Sequence, residues 1–368
     1  PLNLAELLRK HWPEYVAHAG GAGKIPTPHW RAVEAVLTCR TPRLGGHVHA
    51  CTDCGREHYL YHSCNHRACP RCGQRERQLW AARQQSRRLP VPYFMLTFTV
   101  PAQMHGFFRR YERVAYRTLF AAASAAIKEL AADPKYLGGG AGFIAVLHTW
   151  TRQMAFHPHV HVLIPAAGLS EDGCHVRLPD NPEYLFPHAR LAERYRKRFL
   201  LHLSDRHPGL LEALDPAVHT MPWNVNVRRA GRGKSALRYL AAYVNRSAFS
   251  EERLLGYDGQ GNIRMAWRDS SDGKRKLMSL RPVEFIRRWL QHVLPKGFTR
   301  LRHYGFLSAA AAQSFVRVRF LLGGRPLAVE LPEERPPCCP HCEGTLEHLR
   351  NIQPVRGPPQ SIGLLRAR

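Results

Sequence analysis

The most constraining feature of this sequence is a group of closely spaced cysteines in its first fifth. Six of the ten cysteines fall between Cys39 and Cys72, and four of them form the pairs Cys51-x2-Cys54 and Cys69-x2-Cys72. Each pair places two thiolates on one tight turn, where they can occupy two vertices of a tetrahedron around zinc. Because so polar a segment cannot supply its own core, the sequence predicts a module that folds around metal in the reducing cytoplasm.

The two pairs together offer four thiolates, which predicts structural zinc because four protein ligands leave no open position for catalysis. Cys64 lies between the pairs among three histidines, so a second or alternative ligand set stays open. Near the other end, Cys339 and Cys342 form one more Cys-x2-Cys knuckle, which is half of a zinc site. The sequence does not identify the cysteines that would complete that site. Cys64, Cys339 and Cys342 are therefore further candidate zinc ligands.

The charge of the chain indicates the class of its partner. Its 368 residues include 54 Lys and Arg against 28 Asp and Glu, a formal charge of +26, which is typical of proteins that bind nucleic acid. With 44% hydrophobic residues the chain can bury a sizeable core, which excludes wholesale disorder. The longest apolar stretch is far shorter than the ~18 residues that span a bilayer, and no leader opens the sequence. We therefore expect a soluble protein without a membrane partner.

Basic residues concentrate in two predicted DNA-contacting segments. The first is a helix from about Gln74 to Arg88, directly after the second cysteine pair, and the second is a Gly-rich loop from Arg228 to Lys234. Side chains of this kind neutralise phosphates and supply affinity that does not depend on sequence. The residues expected to contact DNA are Arg75, Arg77, Arg87, Arg88, Arg228, Arg229, Arg232, Lys234 and Arg246.

A strand predicted over His159 to Pro165 carries imidazoles on one face. His159 and His161 alternate with valines, and alternate residues of a strand share a face. A hairpin centred near Gln153 places His148 opposite His159, as the natural third ligand of a metal ion. The competing interpretation is chance, or phosphate contact, in a chain with 22 histidines.

A helix predicted over Ser235 to Arg246 has two tyrosines outside its apolar stripe. The stripe consists of Leu237, Leu240, Ala241 and Val244. Tyr239 and Tyr243 fall on the opposite side and, being four residues apart, are neighbours. Ordinary surface tyrosines also fit this pattern. Together with the histidines, the tyrosines favour attack of a phenol oxygen on a DNA phosphodiester whose charge a divalent ion stabilises.

Six segments of the chain, spread over residues 35 to 308, resemble the rolling-circle HUH transposases of the insertion-sequence-ninety-one type and occur in the family's order. They are CRTPRLGGHVHACTDCG (39–55), HSCNHRACPRCG (62–73), LPVPYFMLTFTVP (89–101), HTWTRQMAFHPHVHVLIPAAGLS (148–170), YLAAYVNR (239–246) and EFIRRWLQHVLPKGFTRLRHYGFLS (284–308). HPHVH or YLAAY alone would be a weak signal, but the combination is specific.

The resemblance implies roles and a fold. In such proteins the paired histidines, here His159 and His161, hold a divalent ion, Mg2+ or Mn2+, and the helical tyrosines, here Tyr239 and Tyr243, are the nucleophiles. The implied class is α+β: an antiparallel-sheet HUH endonuclease domain with flanking helices, preceded by a small helical and zinc-knuckle module. The histidines lie on a central strand, the tyrosine helix packs nearby, and residues 93–100 form a neighbouring strand.

These observations predict four regions along the chain. Residues 1–40 form an opening helical segment, and residues 41–90 form a zinc-binding, DNA-contacting module that ends in the basic helix. Residues 91–308 form the HUH tyrosine nuclease domain. Residues 309–368 form a C-terminal segment with a second candidate zinc knuckle and a basic tail.

The expected function is that of a transposase. It would nick single-stranded DNA at element ends, form a 5′-phosphotyrosine and join it to target DNA by a rolling-circle-like route, in the cytoplasm at the bacterial nucleoid. Its partners would be element ends and target DNA, and a homodimer stays open. The alternative is a non-catalytic zinc-dependent DNA-binding regulator, which explains the charge but not the histidine pair or the tyrosines. A metallohydrolase would need acidic ligands, which residues 143–165 lack.

Overall fold

The computed structural model describes residues 2–244, 247–269, 271–332 and 337–355, with side chains for all of these except 242–244. The helices are α1 (Leu4–His18), α2 (Thr27–Thr38), α3 (Gln74–Ser86), α4 (His105–Arg110), α5 (Glu112–Ala132), α6 (His188–Arg206), α7 (Lys234–Val244), α8 (Pro282–Leu290) and α9 (Ala312–Leu321). The strands are β1 (Gly46–Cys51), β2 (Glu57–Tyr61), β3 (Tyr93–Thr99), β4 (Gly140–Ala141), β5 (Phe143–Trp150), β6 (Phe156–Pro165), β7 (Gly168–Leu169), β8 (Val176–Arg177), β9 (Asn224–Arg229), β10 (Leu254–Tyr257), β11 (Ile263–Arg268), β12 (Arg275–Leu280), β13 (Leu301–Tyr304) and β14 (Leu346–Ile352). The class is mixed α+β, as expected.

The largest sheet is antiparallel, in the order β13-β5-β6-β3-β9. β6 is its middle strand, and β3 is its neighbour, as the family resemblance implied. Alternate residues of β6 enter different cores, as the period of two requires. Val160, Val162 and Ile164 pack with α5 and α6, whereas Leu163 packs on the opposite face with α7. The histidines between the valines therefore point towards α7.

Helix α7 lies against this face of the sheet through its apolar stripe. Leu237 and Leu240 are buried, as predicted, in a cluster with Ile144 and Val146 of β5. Helix α3 packs beside α7. The basic helix after the cysteines and the tyrosine helix are therefore adjacent, although they are far apart in the sequence.

A smaller sheet joins the two ends of the chain in the order β14-β1-β2. β1 pairs antiparallel with β2 on one side and with β14 on the other, where Cys51 lies opposite Leu346. The predicted basic tail was not expected to contain a strand. Residues 337–355 thus pack on the cysteine module, while the predicted division into four regions stays a prediction.

The opening helices contribute to a second core. Leu4, Leu8 and Trp12 of α1 are buried in one cluster with Phe285 and Trp289 of α8, and the sheet β10-β11-β12 joins it. Within the described residues, no helix combines the length and apolarity needed to cross a membrane.

Several predicted bounds differ from the structure. The second arm of the hairpin begins at Phe156 rather than His159. The basic helix α3 ends at Ser86, before the predicted end near Arg88.

Candidate active site and metal centres

Three histidines meet where β5 turns into β6. His148 pairs with His159 in the hairpin register, as predicted. Nδ1 of His148 lies 2.9 Å from Nε2 of His159, which lies 3.1 Å from Nε2 of His161. Since metal–nitrogen bonds to histidine are about 2.0–2.1 Å long, ring nitrogens at such separations can share one ion.

Burial keeps these imidazoles neutral. All three side chains are less than 10% exposed. Burial, with a smaller effect of the neighbouring His161, lowers the pKa of His159 to about 3, and burial lowers the pKa of His161 to about 4. The pKa of His148 is also held well below its ordinary value, first by burial and then by the adjacent His159 and His161. At neutral pH each ring therefore offers a lone pair, which metal binding requires.

Polar neighbours fix the rings. Nδ1 of His159 donates to the carbonyl of His157 at 2.7 Å, which leaves the Nε2 lone pair facing the cluster. Thr97 lies opposite His161 on β3, and its Oγ1 is 3.1 Å from Nδ1 of that ring. Such contacts on the far ring nitrogen are typical of histidines that bind metal.

The end of α8 holds the turn between the two histidine strands. Met154, in this turn, has φ of +60°, and its carbonyl accepts from Nε2 of Gln291 at 2.8 Å and from Nε2 of His292 at 3.1 Å. Thr149 Oγ1 donates to Nδ1 of His292 at 3.2 Å. His292 is buried, which lowers its pKa to about 3. Sequence reasoning missed His292, although it lies in the family-like segment 284–308.

A buried cation lies behind the cluster. The guanidinium of Arg300 is 5.2 Å from the ring centroid of Trp150, whose ring centroid is 4.1 Å from that of His148. Burial lowers the pKa of Arg300 to about 10, so the side chain stays charged at neutral pH. Sequence reasoning missed this residue too. Its charge favours an anion at this end of the sheet.

Tyr239 lies beside the histidines. Its ring stands edge-on to His161, with 5.8 Å between centroids and 87° between planes, and its side chain is 45% exposed. A phenol at this place is open to a ligand from solvent and close to the cluster. Tyr243 lies on α7, but its side chain is outside the described residues, as is all of Arg246.

The two basic segments predicted to contact DNA lie next to the tyrosine helix α7. Gln85 of α3 donates to the carbonyl of Lys234 at 3.0 Å, so the two basic segments adjoin. Most of the set is exposed or half-buried: Arg75, Arg77, Arg88, Arg228, Arg229, Arg232 and Lys234. Arg87, which was also expected to contact DNA, makes its contacts within the protein. Its guanidinium lies 4.7 Å from the Phe315 ring centroid and donates to the Leu307 carbonyl at 3.3 Å, so it packs α3 against α9.

The structure groups the cysteines differently from the sequence prediction. Cys69 and Cys72 meet Cys39 and Cys64, with Sγ of Cys72 lying 3.5 Å from that of Cys39 and 3.6 Å from that of Cys64. A separate cluster contains Cys51, Cys54, Cys339 and Cys342. The expectation that the two amino-terminal pairs share one ion is wrong, because β1 and β2 carry the first pair to the sheet that β14 completes. Cys39, at the end of α2, was missed as a ligand because it has no paired spacing.

Comparison with known proteins identifies the family. Residues 142–314 match a protein family described as "Putative transposase", and residues 7–100 match the "Transposase zinc-binding domain" of the IS91 type. "Putative transposase y4qJ" of Sinorhizobium fredii is 32% identical over 391 aligned positions, which cover 97% of both chains. The chain belongs to the IS91-type transposases. The "Transposase for insertion sequence element IS801" of Pseudomonas savastanoi pv. phaseolicola is 26% identical over 79% of this chain and 73% of its own length.

For an IS91-type transposase the excess of basic residues agrees with action on DNA. The buried Cys39, Cys64, Cys69 and Cys72 fall within residues 7–100, which match the zinc-binding domain. Four thiolates in such a cluster fit structural zinc, as predicted, because they fill its tetrahedral coordination.

Proposed function

We propose that this transposase cuts single-stranded DNA with Tyr239, which attacks a phosphodiester held at the histidine cluster. The observation that carries the proposal is the position of the half-exposed Tyr239 ring, edge-on to His161. The nucleophile and the candidate ligands thus share one face of the sheet. This arrangement supports the HUH type of nuclease that the sequence resembles.

The donor set supports a divalent ion at His148, His159 and His161. Three neutral nitrogens converge, and within the described residues no carboxylate joins them. Imidazole ligands favour Mn2+ over the harder Mg2+, which prefers oxygen ligands. When bound, such an ion would polarise the scissile phosphate and stabilise the charge on its oxygens.

The chain's own groups carry out the exchange of bonds. Oη of Tyr239 forms a bond to phosphorus, and its proton passes to water, which reaches the exposed phenol. The bond from phosphorus to the 3′ oxygen breaks, and that oxygen takes a proton from water. The product is a 5′-phosphotyrosine, which keeps the energy of the phosphodiester for joining to another strand.

The basic surface beside α7 would bind the DNA backbone. Arg228 and Arg232 are exposed just before the helix, and Arg75 is exposed on the adjacent α3. Arg300 adds a fixed positive charge near His148. These groups would supply affinity, while the histidine cluster and Tyr239 would supply chemistry.

The decisive experiment is covalent capture. The protein is incubated with Mn2+ and end-labelled single-stranded DNA, and the labelled adduct is measured in a denaturing gel. We expect Tyr239→Phe to abolish the adduct while DNA binding stays near normal, because the ring remains. Tyr59→Phe is the matched control, because Tyr59 is exposed to a similar extent (51%) but lies on β2 of the cysteine module.

Tyr243 provides a second arm of this experiment. In a rolling-circle route a second acceptor takes the displaced or target strand, and Tyr243 lies one turn further along α7. We expect Tyr243→Phe to nick and form the adduct but to fail in complete strand transfer. If Tyr243→Phe alone loses the adduct, the assigned order is wrong. If Tyr239→Phe forms the adduct normally, the proposed mechanism is wrong.

A further inference from the structure

The second cysteine cluster joins two distant parts of the chain. Sγ of Cys51 lies 3.4 Å from Sγ of Cys342, and Sγ of Cys54 lies 3.7 Å from Sγ of Cys339. All four sulfurs lie within 4.8 Å of one another. Tetrahedral zinc with bonds of about 2.3 Å separates its sulfurs by about 3.8 Å. We propose that this cluster binds a structural Zn2+ of its own, which fastens residues 337–355 to the amino-terminal module.

The family match accounts for only half of this site. The zinc-binding domain match ends at residue 100, so it includes Cys51 and Cys54 but neither Cys339 nor Cys342. The first cluster already has four thiolates and needs none of these residues. The proposal therefore adds a second ion and extends the zinc-binding region to the far end of the chain.

The two half-sites have the same backbone geometry. In both turns the carbonyl of the first cysteine accepts from the N–H of the residue four positions later. The N–H of the same cysteine donates to the carbonyl of the residue five positions later. These bonds run from Gly55 N–H to Cys51 O (3.0 Å), from Cys51 N–H to Arg56 O (3.0 Å), from Glu343 N–H to Cys339 O (2.8 Å) and from Cys339 N–H to Gly344 O (2.8 Å). Two matching knuckles that face each other are how a four-cysteine zinc site is built.

The residue after each knuckle supports this interpretation. Gly55 has φ of +67°, and Glu343 has φ of +60°. Glycine adopts this left-handed conformation freely, whereas a residue with a Cβ loses about 1–2 kcal/mol there. Such a conformation at Glu343 persists only where the surroundings impose it. Holding Cys342 against Cys51 is a function that explains it.

The apolar cluster beside the four sulfurs is small. The buried apolar cluster here consists, among the described residues, of Cys51, Cys339 and Leu346. The ion pair between Arg350 and Glu57, 3.0 Å long, is exposed and contributes little. A core of this size does not stabilise a three-stranded sheet without a metal ion.

A neighbouring imidazole completes the surroundings that zinc thiolates commonly have. Nε2 of His58, on β2, lies 3.3 Å from Sγ of Cys339, where its N–H can donate to a thiolate. The two knuckles also abut closely, because a Cβ added at Gly344 would come within 2.6 Å of Oδ2 of Asp53. Contacts between the two halves thus hold the knuckles against each other.

The test is the zinc content of the full chain, purified under reducing conditions and measured by elemental mass spectrometry. We expect Cys339→Ser/Cys342→Ser to contain one zinc ion per chain fewer than the wild type, a difference to which the histidine cluster does not contribute. The control is Cys174→Ser/Cys338→Ser, because both cysteines are exposed and belong to neither cluster, and it should keep the wild-type zinc content. Equal zinc content in the wild type and in Cys339→Ser/Cys342→Ser would overturn the proposal.

Thiol labelling of the wild type gives a second answer that does not depend on how the variant folds. Cys54 and Cys342 are exposed, so only a bound metal would protect them from alkylation. We expect Cys174 and Cys338 to react at once and Cys54 and Cys342 to react only after chelation. Immediate labelling of Cys54 and Cys342 would contradict the second ion, whatever the nuclease assays show.

Discussion

The histidine cluster and the second cysteine cluster are assembled in opposite ways. His148 and His159 are 11 residues apart and meet within one hairpin, whereas Cys51 and Cys342 are 291 residues apart and meet only through the pairing of β1 with β14. A hairpin's own turn and register determine which side chains face each other. Contacts across the whole chain depend on the complete fold. The first kind of site can be predicted from the sequence, and the second kind cannot.

The prediction with the largest expected effect tests whether DNA cleavage requires the histidine cluster. His159→Ala should lower DNA cleavage about 1,000-fold, or about 4 kcal/mol of transition-state stabilisation, because two ligands hold the ion poorly. DNA binding, measured by fluorescence anisotropy, should change little. His175→Ala, an exposed histidine outside the cluster, is the control. Cleavage by His159→Ala at a rate within threefold of the wild type would show that His159 is not part of the active site.

A prediction with a smaller expected effect tests whether the histidine cluster depends on residues outside the hairpin of β5 and β6. His292 is 138 residues from Met154, whose carbonyl it contacts, so part of the hairpin's support is distant in sequence. We expect His292→Ala to lower cleavage about 10- to 100-fold, as the loss of outer support does at metal sites. The Mn2+ concentration for half-maximal cleavage should rise as well.

His292→Gln separates positioning from simple loss of stability. Its amide can still donate to the Met154 carbonyl, so it should recover much of the Mn2+ response that the alanine variant loses. An alanine variant that melts at a lower temperature but keeps the wild-type Mn2+ dependence would show that His292 only stabilises the fold. The geometry of the histidine cluster would then depend on the hairpin of β5 and β6 and not on His292.

The smallest effect concerns the basic loop. Arg232→Ala should weaken single-stranded DNA binding modestly and lower the slope of log affinity against log salt by up to about 1, as for the loss of one phosphate contact. Arg190→Ala, exposed on α6 across the sheet from α7, should leave the slope unchanged. Equal slopes for both variants would show that the basic loop does not contact DNA.

The sequence predicted the parts of the molecule that local periodicity governs. The alternation around His159 predicted which face of β6 enters the core, and the hairpin centre predicted its pairing with His148. The helical stripe predicted that Leu237 and Leu240 are buried. In each case one short segment contains all the information, because backbone geometry repeats every 2 or 3.6 residues.

The rest depends on surfaces that meet only in the folded chain. A Cys-x2-Cys spacing predicts a half-site but does not say which other half-site faces it, so the pairs were combined wrongly. Cys39 has no spacing signal, and its place beside Cys72 follows from where α2 ends. In the same way, nothing in α1 alone says that Trp12 packs in one core with α8.

The place of β1 in its sheet has a consequence for synthesis. Ribosomes add about 5–20 residues per second, so β14 follows β1 only after roughly 15–60 s. Until then one edge of β1 is open to pairing with other strands. A premature stop codon near the end of the gene would therefore damage the amino-terminal module, although every codon for that module is intact.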